Sequence, residues 1–340
     1  MKLLISELPV GSLTLKKRLV MPPMATPKNE NNGLATDEVC KYYAEKSQGG
    51  FLGLVITEHC YVSIEGKAHN GQLSLADDST VAGLAQLTQS IHKNGTPVFA
   101  QLNHAGGRTQ KEITGTRAVA PSAVVLPRSK EGIPIAQAMT AQDIQKVVMD
   151  FAQAARRAKQ ADYDGVEIHS AHGYLLNQFF SPLSNRRTDA YAGNTLEGRL
   201  RLHLEILAAI RTEVGNEYPI ALRLAACDFM EGGITPEDAV WAAKRLESAG
   251  LDLLDISGGF GGYTNPGHME PGYFSPLSQT VKQAVNIPVL LTGGVQTGAD
   301  AECLLEDGKA DLIGVGRALL KNSAWAKEAI TAVQTMSCMY

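Results

Sequence analysis

The sequence predicts a single α/β domain over residues 1–340, a (β/α)8 (TIM) barrel, and three observations carry that prediction. Eight short apolar, β-branched runs recur along the chain. Segments of helical periodicity separate them. The two longest connections each follow a predicted strand, on the face where barrels build their sites.

The predicted strands are 19–25, 53–58, 98–103, 165–170, 220–225, 253–257, 288–292 and 312–316. Several are apolar at nearly every position, as parallel strands covered by helices require. Between them, Thr140 and Asp143 stand at capping-box spacing at the head of a helix over 140–161, where Ile144, Val147, Val148, Phe151 and Ala155 recur at helical period. Asn194 and Glu197 open another, with Leu196, Leu200, Leu204 and Leu207 as one stripe. Thr235-Pro236-Glu237-Asp238 gives an N-cap, a first-turn proline and two acids at the positive end of a helix over 235–250, closed by Gly250. The rival layout, a doubly wound open sheet, usually shows GxGxxG after its first strand; here Pro22-Pro23-Met24 stands there instead. The long connections run from His104 to about Met139 and from Gly258 to about Ser275.

Hydrophobic residues make up 44% of the chain and charged residues 19%, which suits a large core. A net charge of −4 offers no global field for nucleic acid or an anionic membrane, and the basic residues are scattered. No apolar run reaches a membrane span and the N-terminus lacks a signal-peptide pattern, so a cytoplasmic location is expected. The five cysteines, Cys40, Cys60, Cys227, Cys303 and Cys338, form no CxxC pair and are expected to be reduced, mostly buried thiols.

The candidate chemistry concentrates in residues 169–191, HSAHGYLLNQFFSPLSNRRTDAY. His169, His172 and Tyr174 follow a strand, and a turn through Gly173 would aim them into one cavity. Two imidazole donors and a phenol suit polarising a carbonyl oxygen and delivering a proton nearby. No cysteine or carboxylate stands at a spacing that completes a tetrahedral set, so no metal is expected. Leu175, Leu176, Phe179 and Phe180 read as core, and Asn185, Arg186 and Arg187 as loop anchors.

A second signal comes from the last two strands. Gly293 and Gly294 follow strand seven; Gly316 and Arg317 follow strand eight. Loops there often bind phosphate through backbone N–H groups, and arginine adds a bidentate cation; the plainer reading of the glycines is tight βα turns. Arg223 is a charge inside an apolar strand and needs an anionic or polar partner, with a barrel acid such as Glu58 or Glu167 as one choice.

The runs LKKRLVMPPMAT (15–26), AQLNHAGGRT (100–109), APSA (120–123), HSAHGYLLNQFFSPLSNRRTDAYAG (169–193), LRLA (222–225), TGGV (292–295) and GVGRALL (314–320) together resemble the old yellow enzyme family of FMN-dependent ene-reductases and NAD(P)H:flavin oxidoreductases. The resemblance spans essentially the whole chain, and the histidine run is its most specific part. It implies that backbone at Pro23, Met24 and Ala25 cradles a flavin ring, that Gln101 bonds the pyrimidine edge, and that Arg223 lies near the N1–C2 carbonyl. It implies FMN as cofactor, its phosphate at the Gly293–Gly294 and Gly316–Arg317 loops, and NADH or NADPH as hydride donor. His169 and His172 match the pair that holds a substrate carbonyl oxygen, and Tyr174 the proton donor, for ping-pong reduction of an α,β-unsaturated carbonyl compound. A homo-oligomer is implied by the resemblance alone.

The chain also departs from the family. Ala25 and Pro27 replace a cysteine and a tyrosine of one subgroup, Ala192 replaces a glycine, and His59 stands where small residues often sit near the flavin. Larger relatives append an iron–sulfur segment and a second nucleotide-binding domain; with Cys338 as the one late cysteine, neither is expected here. Two rival classes are a flavin-free barrel isomerase or lyase whose substrate carries the phosphate, and a flavin-binding carrier without turnover. A carrier has no use for the proton donor.

Overall fold

A computed structural model describes residues 2–26, 28–29, 32–130 and 135–335. Pro27 and Cys338 lie outside the described residues. Eight parallel strands close a barrel in chain order: Leu19–Met21, Leu54–Tyr61, Val98–Asn103, Gly165–Ser170, Ile220–Cys227, Leu253–Gly258, Val289–Thr292 and Leu312–Gly314. Pairing of Ile313 with Leu19 joins the last strand to the first.

All eight predicted runs form strands. The first stops at Met21 rather than residue 25, because Pro22 and Pro23 have no N–H to give to a ladder. The second runs on to Tyr61, through a register shift between Thr57 and Cys60.

The inside of the barrel is graded. At its base an antiparallel hairpin, Leu8–Val10 with Leu13–Leu15, brings Val10 and Leu15 against Val20, Leu54, Ile56, Phe99, Ala221, Leu253, Leu290 and Leu312. One step of strand alternation further on, Gln101, Glu167, Arg223 and Asp255 follow Phe99, Gly165, Ala221 and Leu253. Two-residue periodicity keeps them all on one face, so an apolar base carries a polar layer towards the strand C-termini.

The helices begin where their caps direct. Ala141–Gln160 and Pro236–Ser248 both carry complete capping boxes, Thr140 with Asp143 and Thr235 with Asp238. Helix Leu196–Val214 differs from expectation by one residue: Thr195, not Asn194, caps it by accepting from Gly198 N, and Glu197 falls in the first turn. Its buried face includes Leu200, His203, Leu207 and Ile210, while Leu196 and Leu204 are only half-buried.

The 104–139 connection holds a short helix, Lys111–Thr114, and a small parallel pair, Val119–Ala120 with Gln137–Ala138. Asp228, fully buried after the fifth strand, accepts from Ser181 Oγ (2.6 Å), Ile234 N (2.9 Å) and Phe260 N (2.8 Å), and so pins the start of the 258–275 connection. Among the described cysteines, Cys60 is buried, Cys40 and Cys227 are half-buried, and Cys303, against expectation, is exposed. No helix among the described residues is long and apolar enough to cross a membrane.

Candidate active site

Strand Gly165–Ser170 delivers His169 to the barrel mouth, where it keeps 3% of its surface exposed. The chain then turns through two left-handed residues, His172 (φ 59°) and Gly173 (φ 77°). A histidine in that region carries strain, and the surroundings hold it there. His172 N donates to Gly258 O, and its ring Nε2 pairs with Ser257 Oγ at 2.7 Å. Asn177 Oδ1 accepts from Gly173 N (2.6 Å), and Gln178 Nε2 donates to Gly173 O (2.8 Å) and Ala105 O (3.1 Å).

The turn brings the three predicted residues together as the sequence required. Ring centres lie 5.1 Å apart for His169–His172 and 5.2 Å for His169–Tyr174. Behind the strand, Ser170 Oγ meets His203 Nε2 at 2.7 Å. Two of the three expected loop anchors act through their side chains: Asn185 donates to Phe179 O and Tyr191 O, and Arg187 to Pro121 O and Met139 O, while Arg186 donates its backbone N–H to Ser122 Oγ.

The electrostatics follow from burial. Desolvation, the neighbouring imidazoles and the Arg223 charge hold His169 and His172 well below the ordinary imidazole range. Both are therefore neutral at physiological pH, each with one N–H to donate. Burial, together with Tyr263, raises the Tyr174 phenol, so it keeps its proton.

Beneath this cluster lies the polar layer. Gln101 Nε2 donates to Glu167 Oε1 at 2.7 Å. Arg223 Nε sits 3.0 Å from Asp255 Oδ2, as their paired positions on adjacent strands allow. The expected barrel-acid partner of Arg223 is thus neither Glu58 nor Glu167 but Asp255. Glu58 instead accepts from Thr26 N (3.0 Å) and Thr26 Oγ1 (2.7 Å) and anchors the segment that follows the first strand. Burial pushes the carboxyls of Glu167 and Asp255 up, with Arg223 opposing both shifts.

The layer is only partly satisfied. Arg223 Nε, both oxygens of Asp255 and Glu167 Oε2 are buried without a well-aligned hydrogen bond. Such atoms cost free energy unless a polar partner meets them, and the polar edge of a flavin would supply acceptors and donors at that level.

The remaining predicted residues flank the mouth. Pro23 and Met24 are half-buried and Ala25 exposed. A Cβ on Gly316 would come within 2.6 Å of Met24 Sδ, so the loop after strand eight touches the segment after strand one. Gly294 (φ 69°) and Gly293 face the ring of Tyr273, which a Cβ on either would strike at 2.8 Å. Arg317 Nη2 donates to Tyr273 Oη at 3.2 Å. Tyr273 thus ties the Gly293–Gly294 loop to Arg317, which follows Gly316, and glycine backbone beside a cation is a chemistry that suits a phosphate. The residues present therefore fit FMN at both its ring and its phosphate.

Several site residues escaped the sequence reading. Asp255 shared the signal that marked Arg223, an ionisable group inside an apolar strand. Tyr263 and Tyr273 lie in a Gly- and Tyr-rich loop, and their ring contacts depend on the loop path alone. The Tyr263 ring centre lies 5.2 Å from that of His172, and the Tyr273 ring centre 4.9 Å from that of Phe274. Arg108 donates to Pro127 O and lies 5.5 Å from the Phe260 ring centre, bridging the two long connections. His59, whose orientation the sequence left open, joins the cluster with its ring 5.6 Å from Tyr174 and 6.4 Å from His169.

Residues 4–335 match the model of the NADH:flavin oxidoreductase / NADH oxidase family. An NADH oxidase of Thermoanaerobacter brockii is 40% identical over 334 residues, covering 96% of this chain and 50% of that protein. The chain spans about half the length of the curated relatives it matches. Among solved structures, a 2-naphthoyl-CoA reductase in complex with 2-naphthoyl-CoA superposes with a TM-score of 0.91 at 27% identity, over 97% of this chain and 52% of that one. A morphinone reductase in complex with tetrahydroNAD does so with a TM-score of 0.83 at 26% identity, over 97% and 91% of the two chains.

Proposed function

The chain belongs to the NADH:flavin oxidoreductase / NADH oxidase family, whose cofactor is FMN, and from that premise we propose that it reduces the C=C bond of α,β-unsaturated carbonyl compounds with NADH or NADPH, in two half-reactions that share one site. The morphinone reductase held with tetrahydroNAD supports a nicotinamide as the hydride donor. The observation that carries the reading is the His169–His172–Tyr174 cluster, neutral and protonated, directly above the Arg223 layer.

Bound FMN supplies the hydride relay between nicotinamide and alkene. The protein's part is to hold and polarise. Backbone at Pro23, Met24 and Ala25 would hold the flavin ring, Gln101 and Arg223 would meet its pyrimidine edge, and Gly293, Gly294, Gly316 and Arg317 would hold the phosphate. His169 and His172 each donate an N–H to the substrate carbonyl oxygen. Charge builds on that oxygen as hydride reaches Cβ, so donors fixed beforehand lower the barrier. Tyr174 Oη gives a proton to Cα and regains one from solvent, which completes the addition of one hydride and one proton across the double bond. Neutral imidazoles suit this site, because Arg223 already supplies a positive charge below.

Tyr174→Phe tests the assignment. Loss of a general acid is expected to slow 2-cyclohexenone reduction by roughly 10²–10⁴-fold. Stopped-flow reduction by NADPH should change by only a few-fold and FMN should stay bound. Equal loss in both half-reactions would remove Tyr174 from the proton-donor role.

A further inference from the structure

Besides His169 and His172, a third imidazole, that of His59, lies against the Tyr174 ring. Its neighbours set it into one tautomer. Gln72 Oε1 accepts from Ala68 N at 2.7 Å, which fixes the other end of that amide as the donor. The assignment has an independent check, since Gln72 Nε2 lies 3.2 Å from the carbonyl oxygen of His59, an acceptor only. The same Nε2 lies 2.8 Å from His59 Nδ1, and so donates to it. Nδ1 is therefore unprotonated, and the proton of the neutral ring sits on Nε2. Gln72 is fully buried and cannot pass a proton on, which excludes His59 as a relay and leaves it a fixed N–H donor. His59 keeps 8% of its surface exposed, and the two side-chain contacts of its ring, Gln72 Nε2 at 2.8 Å and Asn103 Nδ2 at 3.3 Å, both fall on Nδ1. Burial also lowers its pKa to about 3, so protonation does not disturb this state near neutrality.

The ring centres of His169, Tyr174 and His59 form a triangle with sides of 5.2, 5.6 and 6.4 Å, and His172 adjoins its His169 corner. Two N–H donors share one oxygen when their nitrogens lie within about 5.8 Å, twice a normal bond length. The His169–His172 centres, 5.1 Å apart, suit that arrangement. His59 occupies the third corner, beside Tyr174 and with its ring centre 6.4 Å from that of His169, and suits a second acceptor.

Resting on the enone reading above, we propose that His59 is a specificity-determining residue whose Nε2–H receives a second acceptor oxygen of the substrate. The site then favours alkenes with carbonyl groups at both ends of the C=C bond over alkenes with one. The expected gain is about tenfold, the worth of one neutral hydrogen bond.

The test compares kcat/KM for N-ethylmaleimide and 2-cyclohexenone in the FMN-loaded wild type, His59→Phe and His59→Gln. Phenylalanine keeps a ring without a donor; glutamine restores an N–H. The maleimide-to-cyclohexenone ratio should fall about tenfold in the first and largely return in the second. An unchanged ratio in His59→Phe, or one that glutamine fails to restore, overturns the proposal. A ¹⁵N-edited NMR spectrum gives a reading without turnover: His59 should show its proton on Nε2, and a proton on Nδ1 would overturn the donor assignment. Wild-type enzyme that reduces neither alkene would instead sink the enone reading, a result distinct from an unchanged ratio.

Discussion

His203 offers the cleanest quantitative consequence of the site's architecture. It has no exposed surface, bonds Ser170 Oγ through Nε2, and sits directly behind the strand end that carries His169. Burial pushes its pKa down to about 3, against about 6.5 in an unfolded chain. A folded pKa below the unfolded one means that stability is fully present above about pH 6.5 and is lost as pH falls towards the folded value. Each pH unit below 6.5 costs about 1.4 kcal/mol, so at pH 5 the loss is about 2 kcal/mol. Any folded pKa below about 4 gives the same figure at pH 5, so the result does not hinge on the exact shift.

The assay is urea unfolding of the wild type and His203→Gln at pH 7.5 and pH 5.0, followed by tryptophan fluorescence. Glutamine keeps an amide for Ser170 but does not titrate. The variant should be the less stable protein at pH 7.5, through lost packing. At pH 5.0 the gap should shrink by about 2 kcal/mol, because only the wild type forgoes the proton. Other buried groups that titrate in this range, Glu58, His59 and His104 among them, do so in both proteins and cancel in the difference. A gap of the same size at both pH values would refute the buried, neutral His203.

Two further outcomes follow from the polar layer and the cluster. Arg223→Met leaves Asp255 as a buried, unpaired acid and should cost roughly 3–5 kcal/mol of stability at pH 7.5, measured by urea unfolding; adding Asp255→Asn should recover most of the stability but not FMN retention, measured by flavin fluorescence. Because His169 and His172 stay neutral through the ordinary imidazole range, the Kd of the non-ionising ligand cyclohexanone should be flat from pH 8 to pH 6; a tenfold change over that range, read from the flavin spectrum, would show an imidazole titrating.

Much of this molecule was legible before folding, for reasons that differ by element. Parallel barrel strands are covered on their outer faces and packed within, so they advertise themselves as apolar runs, and all eight did. Strand ends were less legible where a proline cut the first ladder at Met21 and a register shift carried the second to Tyr61. The cap at Thr195 was ambiguous by one residue because Asn194 is equally able to cap; the choice falls to Thr195, whose Oγ1 lies 3.1 Å from Gly198 N. The His169–Gly173 turn was readable because its members are contiguous. Asp255 was not, because its importance rests on register: it pairs with Arg223 across two strands separated by a whole helix. Tyr273 packs on Gly293 and Gly294 from a loop whose path no local pattern encodes.

Arg223 links these levels. Its charge is tolerated inside the barrel because Asp255 lies 3.0 Å away, and it is also among the charges that hold His169 and His172 below their ordinary range. A carboxylate placed near the imidazoles would reverse that effect and favour imidazolium, as Asp164 does for the partly exposed His92. Yet none figures among the charges that shift either histidine. The acids of the barrel interior are spent one layer lower, on Arg223 and Gln101. In the proposed reaction, that segregation, acids below and neutral donors above, would let one surface of the mouth stabilise growing negative charge without binding a carboxylate-like competitor through a full positive charge of its own.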